Sequence, residues 1–456
     1  MLSVRGVPGT GGAGCFPSRP AGEGEQLLHG LRFGCGGEGK LRFSGGRRIA
    51  EGGADFYPPM ADPVGVFMRK SVFFIIIPVF IFLASCAPRP GREAFQAYDT
   101  ADPSERQVIF AFQAGRQLEV VWSSLAERFS RENPWGIEVI PRNYGFSSDP
   151  AREMEKNGQP GLVLTGLEWG SLPLSPGADL FPLQAHPEWG ASWAPEDEIK
   201  DHYLIRDGEW KIPFLPLLRD ADLLYVNLSA RAVPEDPRSV WQEGGIVFPL
   251  DEAALSTVHF SLGGRVRTRK GEFLEDTKIW NQARSLVSQA VQGGLARPEA
   301  EKFQGQIDFT TGAVPVSLDT LSGLSYYRRS LEAFGASFAW DAVVYPYERK
   351  KGGMNLWDLG VQIIPGEASD VLAGWLFFKW LLGAEVQAEL AEVTGLLPVN
   401  PGAAPLLGSR SDPVYLRILE EYLMAPRRIY PRSERAGAYL SSVVAALLME
   451  ASGLPE

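Results

Sequence analysis

Glu168 and Trp169 place a carboxylate beside an aromatic ring shortly after an apolar run, Gly161-Leu-Val-Leu-Thr165. A carboxylate accepts hydrogen bonds from hydroxyl groups, and an indole face packs against the C–H face of a sugar ring. The run has the length of a buried strand, and ligands in open α/β sheets bind at the carboxyl ends of strands. We therefore interpret Glu168 and Trp169 as a candidate binding pair, with an ordinary surface loop as the alternative.

A second charged pair, Arg219 and Asp220, lies between two segments that read as extended, 210–216 and 221–227. Adjacent opposite charges between strands can hold a polar ligand, and they can equally form a solvated bend in the chain. The sequence leaves both interpretations open.

The amino-acid composition excludes several kinds of site. The chain has only 3 cysteines and 4 histidines, too few for a disulfide framework, a thiolate zinc site or a multi-histidine metal centre. It contains neither the G-x-S-x-G sequence of a nucleophile elbow nor the phosphate-binding loop of an ATPase. The net charge of −11 argues against nucleic acid as a partner, because phosphates require a clustered basic surface. The 12 tryptophans favour contact with carbohydrate, with core packing as the alternative for most of them. We expect no catalytic residue, no metal and no cofactor.

The most hydrophobic stretch, FFIIIPVFIFLASCAPRP at 73–90, predicts a sorting signal. Its apolar core is about a dozen residues long, whereas a helix that crosses a bilayer needs roughly 20, and Met68-Arg-Lys precedes it as in a signal peptide. Leu83-Ala-Ser-Cys86 resembles the bacterial lipobox, in which the cysteine receives lipid. We expect 1–67 to be an over-extended gene start or a disordered leader, 68–85 to be a lipoprotein signal peptide, and 86–105 to be a tether. A buried strand or core helix with an incidental cysteine is the alternative.

The elements that would position these residues follow a strand–helix–strand order. Gln107–Phe112 predicts a buried strand, Gly136–Ile140 predicts a second one, and the apolar residues between them recur at helical spacing. Such a βαβ unit implies a mostly parallel sheet that is covered on both faces. Further strands are predicted at 161–165, 313–317, 341–345 and 358–364, and further helices at 276–292, 324–334 and 370–393.

The order of these motifs resembles the extracellular solute-binding proteins of ABC importers, the family that includes maltose- and other sugar-binding lipoproteins. Four stretches carry the resemblance: 121–139, 212–227, 309–314 and 373–400, the last of which includes Thr-Gly-Leu-Leu-Pro-Val399. Two positions depart from the family pattern. Pro160-Gly-Leu-Val163 replaces the usual entry to the third strand, and Leu318-Asp-Thr320 stands where a glycine and a tryptophan are usual. The second position lies in the pocket, so the family's ligand is not carried over.

The resemblance implies an α/β, two-lobed periplasmic-binding-protein fold, type II-like, with a ligand cleft between the lobes. The N-lobe would comprise 106–222 and 357–400, and the C-lobe 223–356 and 401–456. It also implies a monomeric, non-enzymatic component of an ABC transporter in the cell envelope, anchored by lipid at Cys86 on the periplasmic or extracellular face. The protein would bind a small-molecule solute, with a sugar favoured, and deliver it to permease subunits in the membrane.

The resemblance points to three further ligand-binding residues. Gln113 would be the first polar contact, with a turn residue as its alternative. Asp319 would occupy the pocket position after a C-lobe strand, and Trp357 would be a stacking aromatic before a returning hinge strand. Helix capping and core packing are the respective alternatives.

Three other functions remain open at this stage. Glu168 and Asp319 could be the paired carboxylates of an envelope glycoside hydrolase, which requires them at roughly 5 to 9.5 Å. The lobes could serve a sensor instead of a permease. Tyr326-Tyr327 could hold ferric ion as adjacent tyrosinates, because phenolate oxygen suits a hard cation, although the helical pattern around them resembles ordinary amphipathic packing.

Overall fold

The structure, a computed structural model, describes residues 92–452 except 146–148, 166–176, 187, 189, 191–203, 207–208, 213, 267–273, 276, 409–411 and 430–433. The predicted leader, the signal peptide and Cys86 lie outside the described residues. Among the described helices, none combines the length and the apolarity that a bilayer crossing requires.

The described chain is a mixture of helices and strands, as expected for an α/β protein. The helices are α1 (Arg92–Asp99), α2 (Arg116–Glu132), α3 (Pro150–Lys156), α4 (Phe181–Ala185), α5 (Ser239–Gln242), α6 (Glu252–Ser261), α7 (Thr277–Gln292), α8 (Gln304–Thr310), α9 (Leu324–Phe334), α10 (Ala368–Leu381), α11 (Ala384–Thr394), α12 (Ala404–Leu407), α13 (Pro413–Met424) and α14 (Glu434–Ser452). The strands are β1 (Gln107–Phe112), β2 (Glu138–Asn143), β3 (Gly161–Thr165), β4 (Leu204–Arg206), β5 (Glu209–Lys211), β6 (Leu215–Asn227), β7 (Ile246–Phe248), β8 (Ala296–Pro298), β9 (Val316–Thr320), β10 (Trp340–Val344), β11 (Met354–Ile364), β12 (Leu397–Pro398) and β13 (Arg427–Ile429).

Two long strands, β6 and β11, run through both halves of the main sheet, whose order is β2-β1-β3-β11-β6-β9-β7-β8. The strands β2, β1 and β3 are parallel to one another, as the predicted βαβ unit requires. The strands β8, β7 and β9 are likewise parallel. The strands β6 and β11 pair antiparallel from Leu215 to Ala221 and then separate to different neighbours. We call the paired and separating part of β6 and β11 the hinge.

Four apolar clusters of described residues pack on the sheet: three large cores and a small cluster around Met154 of α3. The N-lobe core surrounds Phe110, whose ring meets Trp122 of α2 and Phe377 of α10 edge to face. Beyond the hinge the side chains of β6 alternate between two cores, because successive side chains of a strand point to opposite faces. Leu224 packs in a core with α6 and α7 on one face of the sheet, and Tyr225 packs in a core with α9 and α13 on the other face.

Several predicted elements differ from the structure, and three of the differences have identifiable reasons. The extended segments predicted at 210–216 and 221–227 were separated by a possible bend, but Leu215–Asn227 forms the single strand β6, so the bend interpretation is wrong. The predicted strand at 313–317 begins only at Val316, because the amides of Ala313 and Val314 donate to the Asp308 carbonyl at the end of α8. The predicted helix at 370–393 is interrupted at Gly383, a poor helix former.

Candidate functional site

Three carboxylates lie at the carboxyl ends of the parallel C-lobe strands. Asp251 follows β7, Glu299 follows β8, and Asp319 lies within the last residues of β9. Because β9, β7 and β8 are adjacent and parallel, these ends share one edge of the sheet, which is where ligands bind in open α/β sheets. We call Asp251, Glu299 and Asp319 the acidic rim.

Local hydrogen bonds fix each carboxylate of the acidic rim. Asp251 caps α6 by accepting from the Ala254 amide at 3.0 Å, and Glu299 Oε1 accepts from the Gly305 amide at 2.8 Å. Asp319 Oδ2 accepts from Gln306 Nε2 at 2.8 Å and from the Tyr327 hydroxyl at 3.0 Å. All three residues remain partly exposed. The rim is therefore a rigid set of acceptors at a surface that a solute can reach.

The acidic rim is electrostatically costly to ionise. Asp251, Glu299 and Asp319 each have a pKa above the usual value, and burial is the main cause in all three. The charge of Asp319 raises the pKa of the other two further, which shows that the three groups interact. Donors supplied by a ligand, such as hydroxyl groups, would relieve this cost because they stabilise the charged form.

Phe303 lies on the loop that begins with Glu299, and its backbone is strained. Its φ of 69° is in the left-handed region, which is unfavourable for a bulky residue. Its ring is 54% exposed, and Lys302 Nζ lies over the ring at 5.1 Å from its centroid. Strained residues of this kind concentrate at ligand-binding loops. The loop thus carries an aromatic ring four positions after the carboxylate Glu299, the two residue types that the sequence had suggested elsewhere, at Glu168 and Trp169.

The hinge contains a buried network centred on Asp222. Its Oδ1 accepts from Trp357 Nε1 at 3.0 Å, and its Oδ2 accepts from Asn355 Nδ2 at 2.6 Å and from the Thr257 hydroxyl. The network joins β6, β11 and α6 where the two long strands separate. Burial raises the pKa of Asp222 to about 7, against hydrogen bonds that lower it.

Arg219 and Asp220 occupy opposite faces of the same strand. Arg219 is completely buried, and its Nε donates to Asp358 Oδ1 at 2.9 Å. Asp220 is 2% exposed and accepts from the Ser322 amide at 3.0 Å, which ties β6 to the turn after β9. Burial raises the pKa of Asp220 to about 6. Both side chains therefore hold the hinge together, whatever contact they make with a ligand.

The structure places the other predicted residues as follows. Gln113 is exposed directly after β1, on a turn that the Asn143 side chain fixes by bonding both the amide and the carbonyl of Ala114. Trp357 is only 8% exposed, because its ring fills the hinge. Glu168 and Trp169 lie outside the described residues.

Of the adjacent tyrosines Tyr326 and Tyr327, Tyr327 is held by ring packing and hydrogen bonds within the protein. The Tyr327 ring stacks on Tyr225 with centroids 3.7 Å apart, and its hydroxyl lies 3.0 Å from both Ser317 Oγ and Asp319 Oδ2. Burial raises the pKa of Tyr327 well above its usual value, which opposes the tyrosinate form that ferric ion needs. Within the described residues, no group of three His, Cys, Asp or Glu side chains could hold a metal ion.

Four site residues were missed from the sequence: Asp222, Asp251, Glu299 and Phe303. The strands β7 and β8, which place Asp251 and Glu299, have three residues each, too few for a recognisable apolar pattern. A signal was present at Asp251, which precedes an apolar helical pattern in the manner of an N-cap. Nothing in the sequence marks the left-handed backbone of Phe303.

Comparison with known proteins agrees with this architecture. The family model described as bacterial extracellular solute-binding protein matches residues 247–414. The cyclic α-maltosyl-1,6-maltose binding protein of Arthrobacter globiformis is similar in structure, with a TM-score of 0.60 and 12% identity over 77% of this chain and 94% of that chain. The sugar-binding protein MalE of Xanthomonas citri gives a TM-score of 0.61 and 16% identity over 77% and 93%. Lmo0181 of Listeria monocytogenes, solved with cycloalternan, gives 0.57 and 13% over 76% and 94%.

The curated protein sequences contain no match to the chain. At the identities above, the likeness to solved structures shows the fold alone, and that fold is the two-lobed one that the sequence predicted. The predicted resemblance to the bacterial extracellular solute-binding proteins is thus confirmed, in sequence over residues 247–414 and in fold over most of the chain.

Proposed function

We propose that the protein is a lipid-anchored, extracytoplasmic solute-binding component of an ABC transporter, which captures a carbohydrate between its lobes and delivers it to permease subunits. One observation carries the proposal: three partly exposed carboxylates lie at the shared carboxyl edge of β9, β7 and β8, and the exposed ring of Phe303 lies on the loop that holds one of them. Sugar recognition needs this combination of hydroxyl acceptors and an aromatic face.

The similar proteins support the choice of ligand class. One binds cyclic α-maltosyl-1,6-maltose and another was solved with cycloalternan, which are both carbohydrates. The proposed lobes are 106–222 with 357–400, and 223–356 with 401–456. Along β6 and β11, the side chains pass from the N-lobe core to the other two cores near residues 222 and 357. Closure of two such lobes would bury the sugar without any chemical step.

The proposed ligand contacts combine the sequence-derived and structural candidates. Gln113, Glu168 and Trp169 would contact the ligand from the N-lobe, and the acidic rim with Phe303 from the C-lobe. Arg219, Asp220 and Trp357 are buried, so we assign them to the hinge that orients these groups, with contact limited to what lobe closure exposes.

A binding experiment tests the proposal. Purified protein is screened by thermal shift and isothermal titration against mono-, di- and cyclic oligosaccharides, with a polyamine as a cationic control. A bound sugar raises the apparent melting temperature by mass action. We expect Glu299→Gln and Asp319→Asn to weaken sugar binding by about 10-fold or more, since each removes charge from a hydrogen-bonding acceptor. Gln289→Ala, on an exposed face of α7, is the matched control. Binding of a polyamine and of no sugar would refute the ligand class.

Two further measurements test the glycoside hydrolase alternative and the lipid anchor. Incubation with each bound oligosaccharide should leave it intact, and released products would favour the glycoside hydrolase. Replacement of Cys86 by serine should move the protein from the membrane fraction to the soluble fraction. Continued membrane association of that variant would refute the lipid anchor.

A further inference from the structure

The helix α1 lies within the segment that was predicted to be a tether, and it packs on the N-lobe. Tyr98 and Ala101 contact the N-lobe core, and Pro103 is buried. The Phe95 ring meets the His186 ring edge to face, with centroids 6.0 Å apart. The helix touches both α4 and α10. The chain is therefore already part of the folded body from Phe95 onward.

A hydrogen bond to His186 fixes the end of α1. His186 Nδ1 accepts from the Glu188 amide at 3.1 Å, so the ring proton of neutral His186 belongs on Nε2. That nitrogen lies 3.0 Å from Asp99 Oδ1 and donates to it. His186 is only 6% exposed, whereas the Asp99 side chain is 57% exposed. The latch, by which we mean Phe95, Asp99 and His186, thus joins a surface helix to a buried ring.

This docking leaves little free chain next to the proposed lipid. Arg92 begins α1 six positions after Cys86, and six residues span at most about 20 Å. A tether that extended to residue 105 would reach roughly 70 Å by the same rule. The difference decides whether the body can turn freely above the membrane.

We propose that α1 is an anchoring arm, which holds the N-lobe face formed by α1, α4 and Glu188 towards a lipid bilayer surface. This inference rests on the lipid anchor of the proposed function. The restraint comes through the short chain to the lipid, because the exposed residues Asp99 and Glu188 are acidic and neither attracts anionic lipid. The consequence is a fixed orientation in which the N-lobe meets the membrane before the C-lobe does.

Energy transfer to the membrane tests the orientation. The full-length lipoprotein is reconstituted in phosphatidylcholine vesicles that carry an acceptor fluorophore on the headgroup, with a donor on either Glu188→Cys or Glu332→Cys. Glu332 is exposed on α9 of the C-lobe. We expect greater transfer from position 188 than from position 332. The double variant Phe95→Ala/Asp99→Ala should reduce that difference, and Gln96→Ala, on the exposed side of α1, should preserve it.

Hydrogen exchange gives a second, independent measurement. The amides of α1 should exchange slowly in the wild type and about fivefold faster when the Asp99 hydrogen bond alone is removed by Asp99→Ala. Equal energy transfer from both positions in vesicle-bound protein, or unprotected α1 amides, would overturn the arm. Protein that fails to pellet with vesicles, yet keeps a protected α1, would instead refute the lipid anchor and with it the membrane role of the helix.

Discussion

Arg219 of β6 and Asp358 of β11 face each other as register partners across the hinge, and both are buried: 0% of the Arg219 side chain and 2% of the Asp358 side chain is exposed. Arg219 also donates from Nη1 to the Tyr422 hydroxyl at 3.1 Å. Tyr422 belongs to α13, so one guanidinium joins both long strands to a helix near the end of the chain. The pair holds the crossing strands in register at the point about which the lobes would move.

Replacement of Arg219 by alanine should therefore destabilise the protein strongly. It leaves Asp358 in the interior without its cation, and loss of one partner of a buried ion pair costs about 3–5 kcal/mol. Urea denaturation measures the change in the free energy of unfolding. The control is Arg131→Ala, which breaks an exposed pair with Glu132 and should cost at most about 1 kcal/mol. Equal losses for the two variants would contradict the assigned role of Arg219.

Trp357 gives a prediction in which the structure changes the sequence-based expectation. A stacking tryptophan in an open cleft could be replaced by alanine with little loss of stability. Because Trp357 is buried and bonded to Asp222, we expect Trp357→Ala to cost about 3–5 kcal/mol. Trp357→Phe, which keeps most of the ring and loses the N–H donor, should cost about 1–3 kcal/mol. Chemical denaturation of both variants checks the order, and an unchanged stability of Trp357→Ala would show that the ring is not packed.

The raised pKa of Asp222 makes stability depend on pH with a defined sign. Burial lifts its pKa from 3.8 to about 7, so the folded state binds this proton more tightly than the unfolded state does. The contribution of Asp222 to stability is then largest below about pH 4, falls as the pH rises towards 7, and is constant above that. Asp220, with a pKa raised to about 6, acts in the same direction.

Melting temperatures measured from about pH 5 to pH 8 test this dependence. The wild type should lose more stability over that range than Asp222→Asn, which has no proton to release. His259 acts with the opposite sign, because burial lowers its pKa to about 3, but it is common to both proteins and cancels in the comparison. Parallel curves for the two proteins would mean that Asp222 titrates near its unfolded value.

Replacement of Phe303 by glycine should raise the stability of the protein and lower its affinity for sugar. Phe303→Gly removes the strain of a left-handed backbone and should raise stability by about 1 kcal/mol. The same change removes an aromatic face worth about 0.5–1.5 kcal/mol to a stacked partner, or roughly a two- to tenfold loss in sugar affinity. Phe334→Ala, which truncates another exposed ring (67% exposed) at the last residue of α9, should leave affinity unchanged. Unaltered affinity in Phe303→Gly would remove Phe303 from the site.

The sequence predicted those elements whose apolar pattern is both long and local. Gln107–Phe112 and Gly161–Thr165 were predicted with the bounds that the structure has, because each is an uninterrupted apolar run between turn residues. The strand β6 was divided because Arg219 and Asp220 look like the solvated residues of a bend. Their burial depends on partners far along the chain, such as Asp358 at a separation of 139 positions, which no local pattern reveals.

The residues of the candidate site also differ in whether the sequence could suggest them. Asp319 was already a candidate in the sequence, because the resembled family has a pocket position there, although the residue types depart from the family pattern. Asp251 and Glu299 join it only because three strands of different segments become adjacent, and adjacency in a sheet is a tertiary property. Phe303 depends on a single backbone angle, for which its own side chain gives no signal.

The position of β11 between β3 and β6 also sets when the N-lobe can fold during synthesis. Until Ile364 has been made, the sheet lacks its middle strand, and until Leu381 follows, Phe110 and Phe129 lack the α10 ring of Phe377 that packs against them. At about 5–20 residues per second, the ribosome needs on the order of ten to forty seconds to advance from Thr165 to Leu381. A chain exported as proposed would remain unfinished, and so still able to be threaded through a membrane, for that whole interval.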